Sequence, residues 1–408
     1  MSDARQQPVL GIGIVGLGGA AVNMLPAFAR NPDYAIAAAT DIDADVLGRF
    51  GRDYPAAATF RSVAKLCASP EVDLVYIGTP TRLHAEHAGI ALAAKKHVLI
   101  EKPMAVTLAE ADAMIAAAEQ NGVLLGVNVK HSFEPRILKL RALAQSGELG
   151  RLRMIHSWRY VDWLYRPRTR DELTPGWGAG ILWRQGPHHF DFLRTIGGGV
   201  LRSVRGTCQI FDPARRVAGA YTAYLEFADG LVCTAVCSGY DHFNSRDYVR
   251  GFRGDAPLAA AAAAGQHARA RRTLEANTDP NWEDDAAADE RYGGGTDDRS
   301  GADINALSSG WLLSGPLVAS FERGDVRFSA AGLIVDGDRE QWEIPLKDQG
   351  DGRDGRLNSF HRALTQGAAL PADGSWGKAT QEVLVALERS AETQAEIPLI
   401  HQTPYAGG

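Results

Sequence analysis

Lys102 is the residue in this chain best placed to move a proton. It lies in Glu101-Lys102-Pro103, directly after the apolar run Val98-Leu99-Ile100, which reads as a buried strand. A lysine at the carboxyl end of a parallel strand faces the crevice in which doubly wound folds take their ligands. Burial and neighbouring positive charge there push an ammonium towards neutrality, the condition for a general base. Solvated lysines are commoner, but the strand-end position favours catalysis. His188, in Gly186-Pro187-His188-His189-Phe190-Asp191, is the second candidate, as a substrate contact or proton shuttle. Its structural alternative is a satisfied helix histidine.

A nucleotide-binding fingerprint precedes that strand. Val9 to Val15 reads as a buried strand, and Gly16-Leu17-Gly18-Gly19-Ala20-Ala21 follows with the spacing G-x-G-x-x-A before a helix to about Arg30. Gly16 serves the tight turn, Gly18 lets the backbone approach a pyrophosphate, and Ala21 keeps the helix close to the strand. The run Gly11 to Gly16 also spells G-x-G-x-x-G, but that register puts the turn inside the strand and is rejected. Pro26 is expected to kink the helix. Ile36 to Asp41 forms a second strand ending in an acid, placed to accept from ribose hydroxyls and to repel a 2'-phosphate. No Lys or Arg follows until Arg49, so NAD is expected over NADP.

These residues need a scaffold, and the first 128 residues supply it by alternating strand and helix. Val72 to Gly78 is a strand ended by Thr79-Pro80, followed by a helix carrying His84, Glu86 and His87. Leu108 to Gln120 is a helix stopped by Asn121-Gly122, and Leu124 to Asn128 is the last strand of the unit. The expected fold is an N-terminal Rossmann unit, a doubly wound parallel sheet (1–128), and an α+β domain on an open, mostly antiparallel sheet (129–346). Helices and a tail (347–408) complete the chain. Strands are expected at Arg151 to Tyr160, Leu201 to Phe211, Tyr221 to Phe227, Leu231 to Ser238, Gly315 to Ile334 and Gln341 to Ile344, and late helices at Asp354 to Gln366 and Trp376 to Gln394. Residues 254–303, rich in Ala, Gly, Asp and Arg, read as a mobile insertion or a lid. The open sheet is expected to join subunits into a dimer or tetramer.

Composition narrows the class. The chain has 408 residues, enough for two cores, and a net charge of −6, which argues against nucleic-acid binding. No apolar run approaches the ~20 residues that span a membrane. The polar leader Met1 to Gln7 has no apolar core, so a cytoplasmic location is expected. Cys67, Cys208, Cys233 and Cys237 read as core residues in a reducing compartment, and no spacing suggests a metal site.

Taken together, the G-x-G-x-x-A turn, Asp41, Thr79-Pro80 with His84, Glu101-Lys102-Pro103 and Gly186 to Asp191 resemble the glucose-fructose oxidoreductase, inositol dehydrogenase and MocA family from the first strand to about Leu346. That resemblance implies an NAD(P)-dependent oxidoreductase. Lys102 would be its acid/base and His188 would act beside it. Glu101, Thr79, Pro80, His84 and Asn128 would join Gly16 to Ala21 and Asp41 around the cofactor. The family's aspartate, four residues before the histidine, is here Arg184, which suggests an anionic substrate. Arg166, His131 and Asp191 are further substrate-side candidates. Asp162 to Arg168, Gln185 to His188, Arg202 to Arg205 and Ser238-Gly239-Tyr240 resemble the branch of phthalate 4,5-cis-dihydrodiol dehydrogenases. Such an enzyme oxidises a carboxylated cis-dihydrodiol towards a catechol. The alternatives are a sugar, polyol or glycoside dehydrogenase of the same fold and a non-catalytic NAD-binding regulator.

Overall fold

A computed structural model describes residues 8–240, 242–245, 272–277, 279, 281–288, 291–293, 315–347 and 352–407. The first sheet holds β1 (Leu10–Val15), β2 (Tyr34–Thr40), β3 (Ala58–Phe60), β4 (Leu74–Ile77), β5 (His97–Glu101) and β6 (Leu125–Asn128). All are parallel, in the order β3-β2-β1-β4-β5-β6. The order reverses between β1 and β4, so the crevice outside their carboxyl ends is where a doubly wound fold binds a ligand. β4 is buried along its whole length, because helices cover both faces of the sheet and leave no strand side for polar residues.

The helix after β1, α1 (Gly19–Arg30), runs through Pro26 without a break. Pro26 is exposed, and so is Val22, whose carbonyl the ring leaves unbonded, so water can serve that group.

The second sheet has nine strands: β7 (Leu152–Tyr160), β8 (Leu201–Gln209), β9 (Ala220–Phe227), β10 (Val232–Ser238), β11 (Leu317–Phe321), β12 (Gly324–Phe328), β13 (Gly332–Gly337), β14 (Gln341–Pro345) and β15 (Ile397–Pro398). Its pairings are antiparallel except that between β10 and β7. The stretch from Gly315 to Ile334, expected to continue the sheet, does so as three strands, β11 to β13, the last running on to Gly337. One sheet face packs under α8 (Gly180–Gly197), which sends Phe190, Leu193 and Ile196 into the core with Leu225, Ala235 and Ala319. The opposite face leaves Met154, Tyr224 and Val318 exposed.

The late helices do not form a separate layer. Leu357 and Phe360, on α9 (Arg353–Gln366), join the core of the first sheet, and the Tyr34 hydroxyl donates to the Leu357 carbonyl at 2.7 Å. On α10 (Gly374–Thr393), Trp376 enters the first domain's core while Val383, Leu384 and Leu387 enter the second's. Apolar positions on both sides of one helix thus fasten the two domains together.

Within the expected insertion, the described residues include a short helix, Trp282–Ala288. Glu283 forms an ion pair with buried Arg215 at 2.6 Å, and the Tyr292 amide donates to the Leu17 carbonyl at 3.0 Å. Tyr292 also meets Phe50 edge-on, with ring centroids 5.6 Å apart, and its hydroxyl donates to Asp53. This part of the segment therefore reaches from the second domain to the glycine turn of the first. Among the described residues no helix is long and apolar enough to cross a membrane.

Candidate active site

The glycine turn has the shape of an anion cradle. Gly16 has φ +86°, and a Cβ there would come within 2.8 Å of Thr79 Cγ2. Gly18 caps α1 with no side-chain hydrogen bond, and the position its Cβ would take is open space. The first amides of the helix are thus available to a phosphate. The Leu17 amide donates to Asp41 Oδ2 at 2.7 Å and the Asp43 amide to Oδ1 at 2.9 Å, which fixes the carboxylate at the end of β2. These residues fit a dinucleotide. Gly11 and Gly13 lie inside β1, where a Cβ on Gly11 would fall 1.9 Å from the Glu71 carbonyl oxygen; they are packing glycines, as the rejected register requires.

Lys102 sits on a turn held from several sides. His84 contacts the Thr79 and Pro103 carbonyl oxygens, each at 2.8 Å, and so ties the Thr79-Pro80 turn to the Lys102-Pro103 turn. Its two nitrogens are committed to the main chain, so His84 shapes the crevice from beneath. Glu101 accepts from the Tyr76 hydroxyl at 2.8 Å and from Asn128 Nδ2, and its other oxygen accepts from the Lys102 amide at 3.3 Å. Asn128 Oδ1 is buried without a hydrogen-bond partner among the described residues.

The Lys102 amine donates to the Arg184 carbonyl at 3.3 Å. Burial pushes its pKa down to about 8; Glu101 opposes that shift, Arg184 reinforces it, Glu172 opposes it, and Arg159 reinforces it.

Two histidines stand beside it. The rings of His188 and His131 meet edge to face with centroids 4.8 Å apart, and His131 Nδ1 bonds Glu134. Burial holds both rings well below their usual pKa; Lys102 is the next largest cause for His188, and Lys130 and then Arg159 for His131. A neutral His131 that donates Nδ1–H to Glu134 keeps a bare Nε2. His188 Nδ1 is buried without a hydrogen-bond partner among the described residues.

Arg184 does not stand free. Its guanidinium pairs with Glu172 at 3.1 Å and donates to Thr81 Oγ1 at 3.3 Å. Glu172 also pairs with Arg168 at 3.3 Å. Burial would raise the Glu172 carboxyl, but Arg184 and then Arg168 outweigh it and hold the pKa down.

Two sequence candidates are placed elsewhere. Arg166 pairs with Asp162 across half-exposed surface. Asp191 is fully buried and accepts from Trp376 Nε1 at 2.6 Å, so it belongs to the packing of α8 on α10 rather than to substrate recognition. Burial pushes its pKa up to about 7.

Three residues that sequence reasoning passed over stand around Lys102 and the histidines: Glu172, Glu134 and Arg159. Glu172 stands in the stretch that resembles the dihydrodiol dehydrogenase branch, and its Thr169-x-x-Glu172 capping-box spacing marks a helix start, but neither signal assigns it to the site. Nothing in the local sequence distinguishes Arg159 from a surface arginine of an alternating strand.

Residues 10–129 match the oxidoreductase family GFO/IDH/MocA, NAD-binding Rossmann fold, and residues 137–256 match the GFO/IDH/MocA C-terminal domain. A 1-carboxy-3-chloro-3,4-dihydroxycyclohexa-1,5-diene dehydrogenase of Comamonas testosteroni is 44% identical over 241 residues, 59% of this chain and 60% of that one. An NADP-dependent scyllo-inositol 2-dehydrogenase of Bacillus subtilis is 32% identical over 142 residues, 34% of this chain and 39% of that one. The matched region thus spans 60% or less of these relatives' length. A crystal structure of a candidate dehydrogenase from Bordetella bronchiseptica RB50 superposes with a TM-score of 0.82 at 32% identity, covering 95% of this chain and 99% of that one.

Proposed function

The chain belongs to the GFO/IDH/MocA oxidoreductase family, and from that premise we propose that it is an NAD-dependent dehydrogenase of carboxylated cyclic cis-diols. The observation that carries this reading is Lys102, a lysine with its pKa brought down to about 8 beside His188, at the edge of the crevice that opens from the glycine turn. Gly16, Leu17, Gly18, Gly19, Ala20 and Ala21 would hold the pyrophosphate, and Asp41 the adenosine ribose. Thr79, Pro80, Glu101 and Asn128 line the approach to Lys102. A bound nicotinamide supplies the hydride acceptor.

The chain's own part is proton transfer and orientation. Lys102, as the free amine, takes the proton of the hydroxyl whose carbon is oxidised. Neutral His188 orients that hydroxyl, and His131, fixed by Glu134, backs it. Oxidation of one carbinol of a cis-dihydrodiol gives a hydroxyketone whose tautomer is a catechol, so the product's aromaticity drives the step forward. Arg184 stands where the family usually has a carboxylate and is held by Glu172, so that position no longer offers an acid to a polyol hydroxyl. The carboxylated diene diol in the name of the Comamonas relative supports an anionic ring over a neutral polyol. The exposed face of the second sheet, with Met154, Tyr224 and Val318, is the surface on which we place pairing with a second copy.

A panel of carboxylated cis-dihydrodiols, scyllo-inositol and aldoses, followed by NADH absorbance, tests the reading. Turnover confined to the carboxylated diols is expected, and Lys102→Ala lowers it by ~10²-fold or more while NAD affinity is kept. Turnover confined to neutral polyols, or a Lys102→Ala enzyme as fast as the parent, overturns it.

A further inference from the structure

Arg159 is a buried cation with unanswered donors. It retains 5% exposure, and its Nε and Nη1 are buried without a hydrogen-bond partner among the described residues. Guanidinium groups inside proteins are normally paired, because a desolvated charge without an opposite charge is strongly destabilising. The fold determines where this one points. Ile155, Ser157 and Arg159 alternate onto the face of β7 that lies under α8. Ser157 meets His189 Nε2 at 2.9 Å, which places His188, the preceding residue of α8, beside this face of the strand. Arg159 is near enough to Lys102, His131 and His188 to disfavour the protonated form of all three.

The other arginine of the site is already occupied. Arg184 has Glu172 at 3.1 Å, and Glu172 has Arg168 as well. A substrate carboxylate that took Arg184 would have to displace a buried acid, whereas Arg159 offers its donors unpaired.

We propose that Arg159 is the residue that receives the substrate's ring carboxylate, through the planar fork of its guanidinium, and that it sets the enzyme's preference for carboxylated over neutral cyclic diols. This rests on the dehydrogenase reading and deepens it. The ligand class is a planar or half-planar ring carboxylate whose diol lies across the ring, towards Lys102 and His188. A carboxylate at Arg159 completes a charge pair that the described residues do not supply, so binding an anion recovers stability that the empty site forgoes. Lysine cannot substitute fully, because an ammonium gives a point charge in place of two parallel donors.

The test separates anion binding from turnover. Benzoate, a ring carboxylate with no diol, is titrated into the apo enzyme and followed by thermal unfolding, for the parent, Arg159→Met, Arg159→Lys and Arg184→Gln. Benzoate is expected to raise Tm of the parent and of Arg184→Gln, to act weakly on Arg159→Lys, and to leave Arg159→Met unmoved. Without benzoate, Arg159→Met is expected to melt above the parent, since it removes an unpaired buried charge. In steady state, Arg159→Met should lose ~10²-fold in kcat/KM for the carboxylated diol, mostly through KM, a loss on the scale of one bidentate charged contact. Equal benzoate shifts in the parent and Arg159→Met, or loss of the shift in Arg184→Gln alone, overturns the assignment and leaves the dehydrogenase reading standing. A parent with no dehydrogenase activity on any diol but a benzoate shift that depends on Arg159 overturns that reading instead and supports the anion site.

Discussion

The pH dependence of oxidation should report Lys102 directly, and two neighbours should move it in opposite directions. With a pKa of about 8 in place of 10.5, roughly 10% of the lysine is free amine at pH 7 rather than roughly 0.03%, a ~300-fold gain in competent base. The sign follows from the role. A base that must be unprotonated makes kcat/KM rise tenfold per pH unit below its pKa and level off above it. The inflection is therefore expected at about pH 8, with the plateau above it. Arg184 pushes the Lys102 pKa down and Glu172 pushes it up. Arg184→Gln should move the inflection to higher pH and Glu172→Gln to lower pH, each unit of movement changing the free amine at pH 7 by about tenfold. The assay is initial-rate NADH formation from a carboxylated cis-dihydrodiol between pH 6 and 10, at saturating NAD. A profile flat between pH 6 and 9, an inflection near that of a solvated lysine, or shifts of the same sign in both variants would refute Lys102 as the base.

Two further outcomes follow from the hydrogen bonds on either side of the crevice. Asp41→Ala should reduce discrimination against NADP by about tenfold, since it removes the carboxylate that would repel a 2'-phosphate; fluorescence titration with both coenzymes measures it, and an unchanged NAD:NADP affinity ratio would separate Asp41 from coenzyme choice. Trp376→Phe should destabilise the fold by about 1–3 kcal/mol in urea melts. It takes the indole donor from Asp191 Oδ1, whose partner oxygen Oδ2 already lacks one, and an unchanged midpoint would show that this contact is dispensable.

The first domain was legible because each of its signals is local. A strand, a glycine turn and a helix follow one another within Leu10–Arg30, and periodicity with turn chemistry marks them without reference to the rest of the chain. The residues expected on the cofactor side were placeable in the fold for the same reason, since Asp41, Thr79, Lys102 and Asn128 all stand at or just past strand ends. The substrate side was harder to read. Glu172 and Arg184 meet across 12 residues and His131 meets His188 across a domain, contacts that no periodicity encodes. Asp191, a substrate-side candidate by sequence, closes the same Gly186 to Asp191 motif as His188. It stands about one turn along the same side of α8 as His188, but Trp376, far away in sequence, claims its carboxylate. Arg159 was invisible because an alternating strand shows which residues share a face but not whether a buried arginine there has a partner. The parallel pairing of β7 with β10 was likewise set by the crossover between them rather than by either strand's composition.

A crystal structure with NAD and a carboxylated cis-dihydrodiol analogue tests the central claim most directly, by the position of the Lys102 amine. The expected result has the pyrophosphate against Gly16 to Ala20, the nicotinamide over the crevice, and the amine within hydrogen-bonding distance of the reacting hydroxyl. A dinucleotide lying elsewhere, or a Lys102 amine turned away from a correctly seated nicotinamide, would contradict it.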